Sequence, residues 1–439
     1  MSIVALWQLA RPTAAADRRR WLLVAGACAL TGMLLLTGAR VFRHHTGRLA
    51  LAPYVEQVGL RPGVLTAVVL CCLPPLVLLV QALRVGSAAR ERRLIALRVA
   101  GASNAQLGRL AMLEGASAGL AGAVAGGLLY LLLGWTAPLV PTVYLRLVPP
   151  ADLRDLITVP AMAVVLVLLA GLSARVTAHE VTVAPRRVSG RAPRPLARRR
   201  AALAALLLLL VLALLFLTLL GAYAMIFLLI AAAVLLLFVA APYLVLLTAG
   251  RLSRSSDPMA QLAAARMRSD PRTPGRIAAV VGACGVTFSI AAAFIANIIG
   301  ADDNMGDSKG FYLSGALLAA AAAVIALAVS VLSLIVAAAE QVLDARRATA
   351  TLTAFGVSGA DLTRALRRQL SAVTVPAALT GAVLGAVLSI FLFRGQWAAG
   401  VLVGPLLAVA VGSAAARGAA RLLAPQVAEA TSAENLRTA

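Results

Sequence analysis

Lysine is all but missing from this sequence. Of 40 Lys and Arg residues only Lys309 is a lysine, and it stands in the stretch Gly-Asp-Ser-Lys-Gly-Phe at 306–311. A phosphate-cradling P-loop needs a lysine directly after its glycines to reach the nucleotide phosphates. Lys309 is not so placed, so any ATP-driven work must draw on another protein. Charge of either sign is also scarce: 13% of residues are charged and 61% hydrophobic, with a mean hydropathy of +0.93. A soluble domain is about a quarter charged, so an ordinary soluble enzyme is excluded.

Metal-binding and catalytic residues are equally thin. The 4 cysteines, Cys28, Cys71, Cys72 and Cys284, fall inside apolar runs with no metal-ligand spacing and read as small buried apolar side chains. His44 and His45 are adjacent but have no nearby acid or third ligand, and His179 with Glu180 reads as a solvated pair in an Arg-rich stretch. No Ser/His/Asp set and no paired carboxylates converge in any segment, so the sequence offers no catalytic, metal or cofactor residues. The interiors of the apolar runs hold no ionisable side chain. Gln81, Asn297 and Tyr130 are their strongest polar groups, with Glu114 and Gln369 at the mouths. Proton- and ion-coupled carriers depend on ionisable groups within the bilayer, which argues against that class.

Long hydrophobic runs are what the chain does have. About ten are of membrane-crossing length: 21–40, 63–83, 110–134, 157–174, 202–221, 222–247, 277–299, 311–338, 369–393 and 398–416, the fifth and sixth meeting near Gly221. The first is too long for a removable signal peptide. Ten spans put both termini on one side, and 32 of the 40 basic residues fall on that side. The positive-inside bias makes it the cytoplasmic side of a cell membrane. The net charge of +23 then reflects topology and contact with anionic lipid headgroups rather than nucleic acid. The near-exclusive use of arginine, with abundant Ala, Leu and Gly, suggests a GC-rich bacterial genome.

Two Arg-studded segments, 90–115 and 344–370, interrupt the apolar pattern and repeat one another. An offset of 255 lays Arg92 on Arg347, Leu97 on Leu352, Gly101 on Gly356, Ser103 on Ser358 and Arg109 on Arg364, and carries on to Gly126 and Gly381. A Gln-Leu-Ala triplet at 8–10 recurs at 261–263, an offset of 253. The expected fold is an all-α integral membrane protein built from two parallel four-helix repeats joined by a two-helix linker. In chain order this gives a terminal segment 1–20, a first repeat 21–175 with a hairpin at 87–110, an Arg-rich linker 176–201 and linker helices 202–250. A segment 251–276, a second repeat 277–416 with a hairpin at 340–368, and a tail 417–439 complete the chain.

Each hairpin has a readable local structure. Residues 90–99 lack helix breakers, and Gly101 is placed to close that helix in a left-handed conformation. Ser103 then caps a second helix, with Gln106 completing a capping box. Gly356, Ser358 and Asp361 repeat the plan with a weaker box. Gly115, Gly119, Gly122 and Gly126, partly echoed by Gly381 and Gly385, build a face for close helix approach. That face suits internal packing or a seam between two copies. Pro74, Pro75 and Pro376 predict local kinks or breaks.

At these residues the sequence resembles the FtsX-like permease family, membrane subunits of the ABC transporter group that includes MacB-type exporters. The likeness rests on Arg90-Glu91-Arg92-Arg93, on Ile-Ala-Leu-Arg at 95–98, on the Gly-Ala-Ser turn at 101–103, and on Glu114 at the mouth of a small-residue-rich helix. In the second repeat Thr353 replaces Arg98, Phe355 replaces Ala100 and Gln369 replaces Glu114. The resemblance implies that the hairpins are coupling elements docking on a cytoplasmic ABC ATPase, which would itself bind the ATP and Mg. Its contacts would come from Arg90, Glu91, Arg92, Arg93, Arg98, Gly101, Ser103 and Arg109 in the first hairpin. In the second they would come from Arg346, Arg347, Gly356, Ser358 and Arg364.

Many members of that family carry a large extracytoplasmic domain. Here the longest outside segment is 41–62, and its equivalent in the second repeat is 300–310. The ten-span form is therefore more similar to permeases of Gram-positive and actinobacterial exporters or peptide-sensing modules. The function expected is a non-catalytic permease subunit that couples a partner's ATP hydrolysis to export or extraction of a lipid-like or amphipathic substrate. The alternative is a non-transporting mechanical transmitter that controls a cell-wall hydrolase or a sensor kinase. Membrane lipids and either a second copy or a second permease chain are the remaining expected partners.

Overall fold

The computed structural model describes residues 15–43, 61–84, 93, 96–136, 139, 152–183, 210, 226–299, 309–392 and 398–432. Among these residues all regular secondary structure is helical, and the chain divides into two compact units, Met1–Gly190 and Arg191–Ala439.

The first unit contains α1 (Ala15–Arg43), α2 (Arg61–Cys71), α3 (Leu73–Ala82), α4 (Asn104–Thr136) and α5 (Asp155–Val183). Charge at the ends of α1 suits its dipole, with Asp17 in the first turn and Arg40 and Arg43 in the last. The apolar run 63–83 is one predicted span but two helices, parted at Cys72. Pro74 and Pro75 have no amide hydrogens to donate and so occupy the opening turn of α3. The Leu76 amide still reaches Cys72 O at 3.1 Å, which keeps the two pieces hydrogen-bonded across the joint.

α4 is the centre of this unit, with α1 on one side and α5 on the other. The glycine face divides between them. A Cβ on Gly115 would stand 2.5 Å from Ala170 O, and one on Gly119 2.9 Å from Ala170 Cβ, both on α5. Gly122 meets Ala25 O, and a Cβ on Gly126 would lie 2.5 Å from Ala29 O, both on α1. Backbone thus touches backbone on both flanks, the packing that small residues allow where lipid removes any hydrophobic drive.

The second unit contains α6 (Ile226–Leu252), α7 (Pro258–Ser269), α8 (Arg272–Ile299), α9 (Lys309–Asp344), α10 (Arg346–Ala354), α11 (Gly359–Leu392) and α12 (Ala398–Ala430). Here α11 is central, packed on α8 and α12, and α9 also lies along α8. Gly381 meets Gly282 O, and a Cβ on Gly385 would lie 2.6 Å from Val286 O. The small residue has changed sides at the other contact: Thr374 of α11 donates to Gly412 O of α12 at 3.0 Å. α6 covers α8 through Leu229, Ala232 and Ala233, which cluster with Val286 and Leu388. α11 runs through Pro376 without interruption, contrary to the break its sequence permits. The carbonyl that Pro376 leaves without an amide is that of Ala372, one turn earlier, and packing of α11 on α8 and α12 holds the helix across that gap.

Nine of the ten predicted spans fall on these helices; the fifth, 202–221, lies outside the described residues save for 210. Among the described residues eight helices are long and apolar enough to cross a membrane, and α2 with α3 supplies a shorter apolar piece. This is an all-α, multi-pass membrane protein.

Candidate functional site

Both units place a turn of the same construction ahead of their central helix. In the first, Gly101 has φ of +91°, its amide donates to Arg98 O at 3.0 Å, and the Ala102 amide reaches back to Leu97 O at 2.9 Å. In the second, Gly356 has φ of +92°, its amide donates to Thr353 O at 2.9 Å, and the Val357 amide reaches Leu352 O at 3.1 Å. Each is a Schellman ending, in which a left-handed glycine lets two amides satisfy the last carbonyls of a helix. An added Cβ at either glycine meets nothing within 4 Å, so only backbone conformation selects glycine there.

The helices that follow begin with caps of unequal quality. The Gln106 amide donates to Ser103 Oγ at 3.3 Å while the Ser103 amide donates to Gln106 Oε1 at 2.9 Å, a complete capping box. At Ser358 only half forms: the Asp361 amide donates to Ser358 Oγ at 3.1 Å, and that hydroxyl turns to Asp361 Oδ2 at 2.7 Å. The shorter aspartate does not return to the Ser358 amide.

Of the predicted contact residues, Arg98, Ser103 and Arg109 in the first hairpin and Arg346, Arg347, Ser358 and Arg364 in the second are exposed. Arg364 also pairs with Asp361 at 3.0 Å. Arg90, Glu91 and Arg92 lie outside the described residues. Arg93 departs from the surface set. Its guanidinium turns inward and lies 3.4 Å from Glu114 Oε1.

Glu114 is the unexpected centre of this region. Arg20 of α1 donates to Glu114 Oε2 at 2.9 Å, with only 10% and 9% of the two side chains exposed. Nearby, the Trp21 indole donates to Ser117 Oγ at 3.3 Å. A buried carboxylate requires a counter-ion, a rule that asks for a cation beside Glu114 without naming Arg20. In the second unit the matching Gln369 donates from Nε2 to Gln341 Oε1 of α9 at 2.8 Å. That joint is neutral.

A second ionic cluster lies at the opposite end of α1. Arg40 is 3.4 Å from Asp152, and Arg43 is 2.8 Å from Asp155 at the start of α5. Asp155 also accepts from the Tyr130 hydroxyl of α4 at 2.9 Å. Tyr130, a polar group inside a predicted span, is therefore bound to a carboxylate at its end. At the hairpin end of the second unit Arg368 of α11 pairs with Asp257, the N-cap of α7. Among the described residues no group of three His, Cys, Asp or Glu converges.

Residues 65–178 match the family model described as FtsX-like permease C-terminal, a stretch that runs from α2 to α5 and includes the first hairpin. No curated protein and no solved structure matches the chain.

Proposed function

From the match of residues 65–178 to the FtsX-like permease model we propose that the chain is a member of that family and the permease subunit of an ABC transporter complex. A separate cytoplasmic ATPase binds and hydrolyses ATP, and this chain converts the stroke into export or extraction of a lipid-like or amphipathic substrate.

One observation carries the reading: the glycine-closed hairpin occurs twice, 255 residues apart, each time with exposed arginines and each time continuous with the central helix of its unit. A solvated loop has no need to repeat a Schellman turn. A docking element does, because its helix must hold a fixed angle to the span it moves. The arginines supply charge that steers and orients a partner, and the side bearing them is the cytoplasmic one by the positive-inside bias.

The test is co-purification from the native host, followed by ATPase assays of the chain alone and of the complex. The expected result is an ABC ATPase bound to the chain, with hydrolysis only in its presence. Hydrolysis by the chain alone, or purification without an ATPase, would defeat the proposal. Reconstitution with labelled lipids or amphipathic peptides then separates a transporter, which moves one of them, from the rival reading of a mechanical transmitter, which moves none.

A further inference from the structure

α1 carries ion pairs at both ends of its apolar stretch. At the hairpin end Arg20 holds one oxygen of Glu114, while Arg93, on the hairpin itself, holds the other. Twenty residues further on, Arg40 and Arg43 hold Asp152 and Asp155. At 1.5 Å per residue that separation is about 30 Å, the thickness of the hydrocarbon core. The helix is tied on each side of the membrane and crosses it without a charge between the ties.

We infer that α1 is the strut of the first unit, with Glu114 the positioning residue through which displacement of the hairpin reaches α1 and, by α1, the Asp152–Asp155 cluster at the far side. This rests on the permease reading above. The physical reason is the cost of separating a buried ion pair, which strands an uncompensated charge. If the hairpin moves, Arg93 draws on Glu114, and Arg20 follows because Glu114 is the buried carboxylate it is paired with. The same tie made only for stability would be a poor choice, since burying charge at a membrane boundary is costly.

The second unit supplies the internal control. There Gln369, in the place of Glu114, bonds to Gln341 of α9 and not to α8, the counterpart of α1; Ala348 stands where Arg93 does, and Thr273 aligns with Arg20. At the far end Ala293 and Ala296 align with Arg40 and Arg43. The second unit is thus built without the Arg93–Glu114–Arg20 set, and that charged path is particular to the first unit.

Phe42 and Leu153 report on the far cluster, since they are 72% and 81% exposed and flank it without joining it. In a background with all four cysteines replaced, spin labels on F42C and L153C are measured by double electron–electron resonance. The sample is the complex with its co-purified ATPase in liposomes, with and without ATP and vanadate. The expected result is a nucleotide-dependent change in the distance distribution, kept in Glu114→Asp and lost in Glu114→Gln, which still binds the ATPase. The double variant Arg20→Gln/Glu114→Gln removes both buried charges together and strands neither, so it folds even if the single variant does not, and it should also lose the change. Persistence of the change in the double variant overturns the inference, as does its absence in a wild-type complex that hydrolyses ATP. Labels on I299C and L402C in the second unit should show no such change, and an equal one there removes the restriction to the first unit. Failure to obtain any ATPase complex counts against the permease reading itself, and the inference falls with it.

Discussion

Gly101 and Gly356 are isolated tests of backbone conformation, because a methyl group at either would have free space and only a positive φ to contend with. Replacement by Ala should therefore cost about 1–2 kcal/mol, and Asn, which tolerates the left-handed region, should cost less. Hydrogen exchange of the 96–107 and 351–362 amides in detergent would report both, and the two sites should respond equally. The neighbouring position breaks that symmetry. Arg98→Ala should weaken ATPase binding and flatten its salt dependence, whereas Thr353→Ala, which removes only a hydroxyl bonded to Thr349 O, should leave both intact. Equal losses in a pull-down across a salt series would mean that the two hairpins bind alike. Both turns could be read from the sequence because their determinants lie within a few residues of one another: a glycine, then a serine, then Gln106 or Asp361. Arg20 and Glu114 are 94 residues apart, and Arg43 and Asp155 are 112 apart. No local spacing encodes such pairs, so a sequence read in short windows shows the charges but not their partners.

Among the elements, α7 shows how an amphipathic helix is fixed to a span. It buries Ala260, Ala263, Ala264 and Met267, and its N-cap Asp257 receives the Met259 amide at 2.8 Å and pairs with Arg368 of α11. The Arg368 hydrogen bond, and after it the Met259 amide, hold the Asp257 carboxyl below the usual carboxylate range. A carboxyl whose folded-state affinity for protons is lowered contributes stability above its unfolded-state pKa and loses it as the pH falls through the folded-state value. Docking of α7 should thus be constant near neutrality and loosen only below the usual carboxylate range. A spin label at exposed Gln261 should gain mobility on that descent, and Asp257→Asn should show the gain already at neutral pH. An unchanged label in that variant would assign the docking to the apolar contacts alone. The caps follow a similar logic: Ser103→Ala should cost about 1 kcal/mol, and Ser358→Ala less, since its box is half made. The division of the second span at Cys72 was legible in Pro74 and Pro75, whereas Pro376 carries the same signal and leaves α11 whole. The difference lies in the flanking helices, neighbours that a single residue does not reveal.

For the whole chain, the expected topology makes a simple prediction. With the native cysteines removed, single cysteines at Ser103, Ser189 and Ser358 should be shielded from an impermeant thiol reagent in intact cells, and ones at Thr46 and Ser308 should react. Reaction at Ser189 from outside would break the ten-span count. The long apolar runs made the fold class plain, since nothing else accounts for so many of them. The order of packing was less plain. That α4 lies between α1 and α5 follows from which glycine meets which carbonyl, and a stripe of small residues names a face without naming its partner.

The glycine seam also bears on how this gene can vary. A single base change in a glycine codon yields Ala, Ser, Cys, Val, Asp, Glu, Arg or Trp, and each adds at least the carbon that Gly115, Gly122, Gly126 and Gly381 have no room for. Apart from the synonymous third-base changes, these codons therefore have almost no neutral neighbours within reach of one mutation. In a saturation library selected for function, the seam should stand out as depleted positions at helical spacing, while the lipid-facing leucines around it drift among Ile, Val, Phe and Met. Variation at one seam position should survive only alongside a compensating reduction across the contact, so that in this protein the two sides of a helix pair are inherited together.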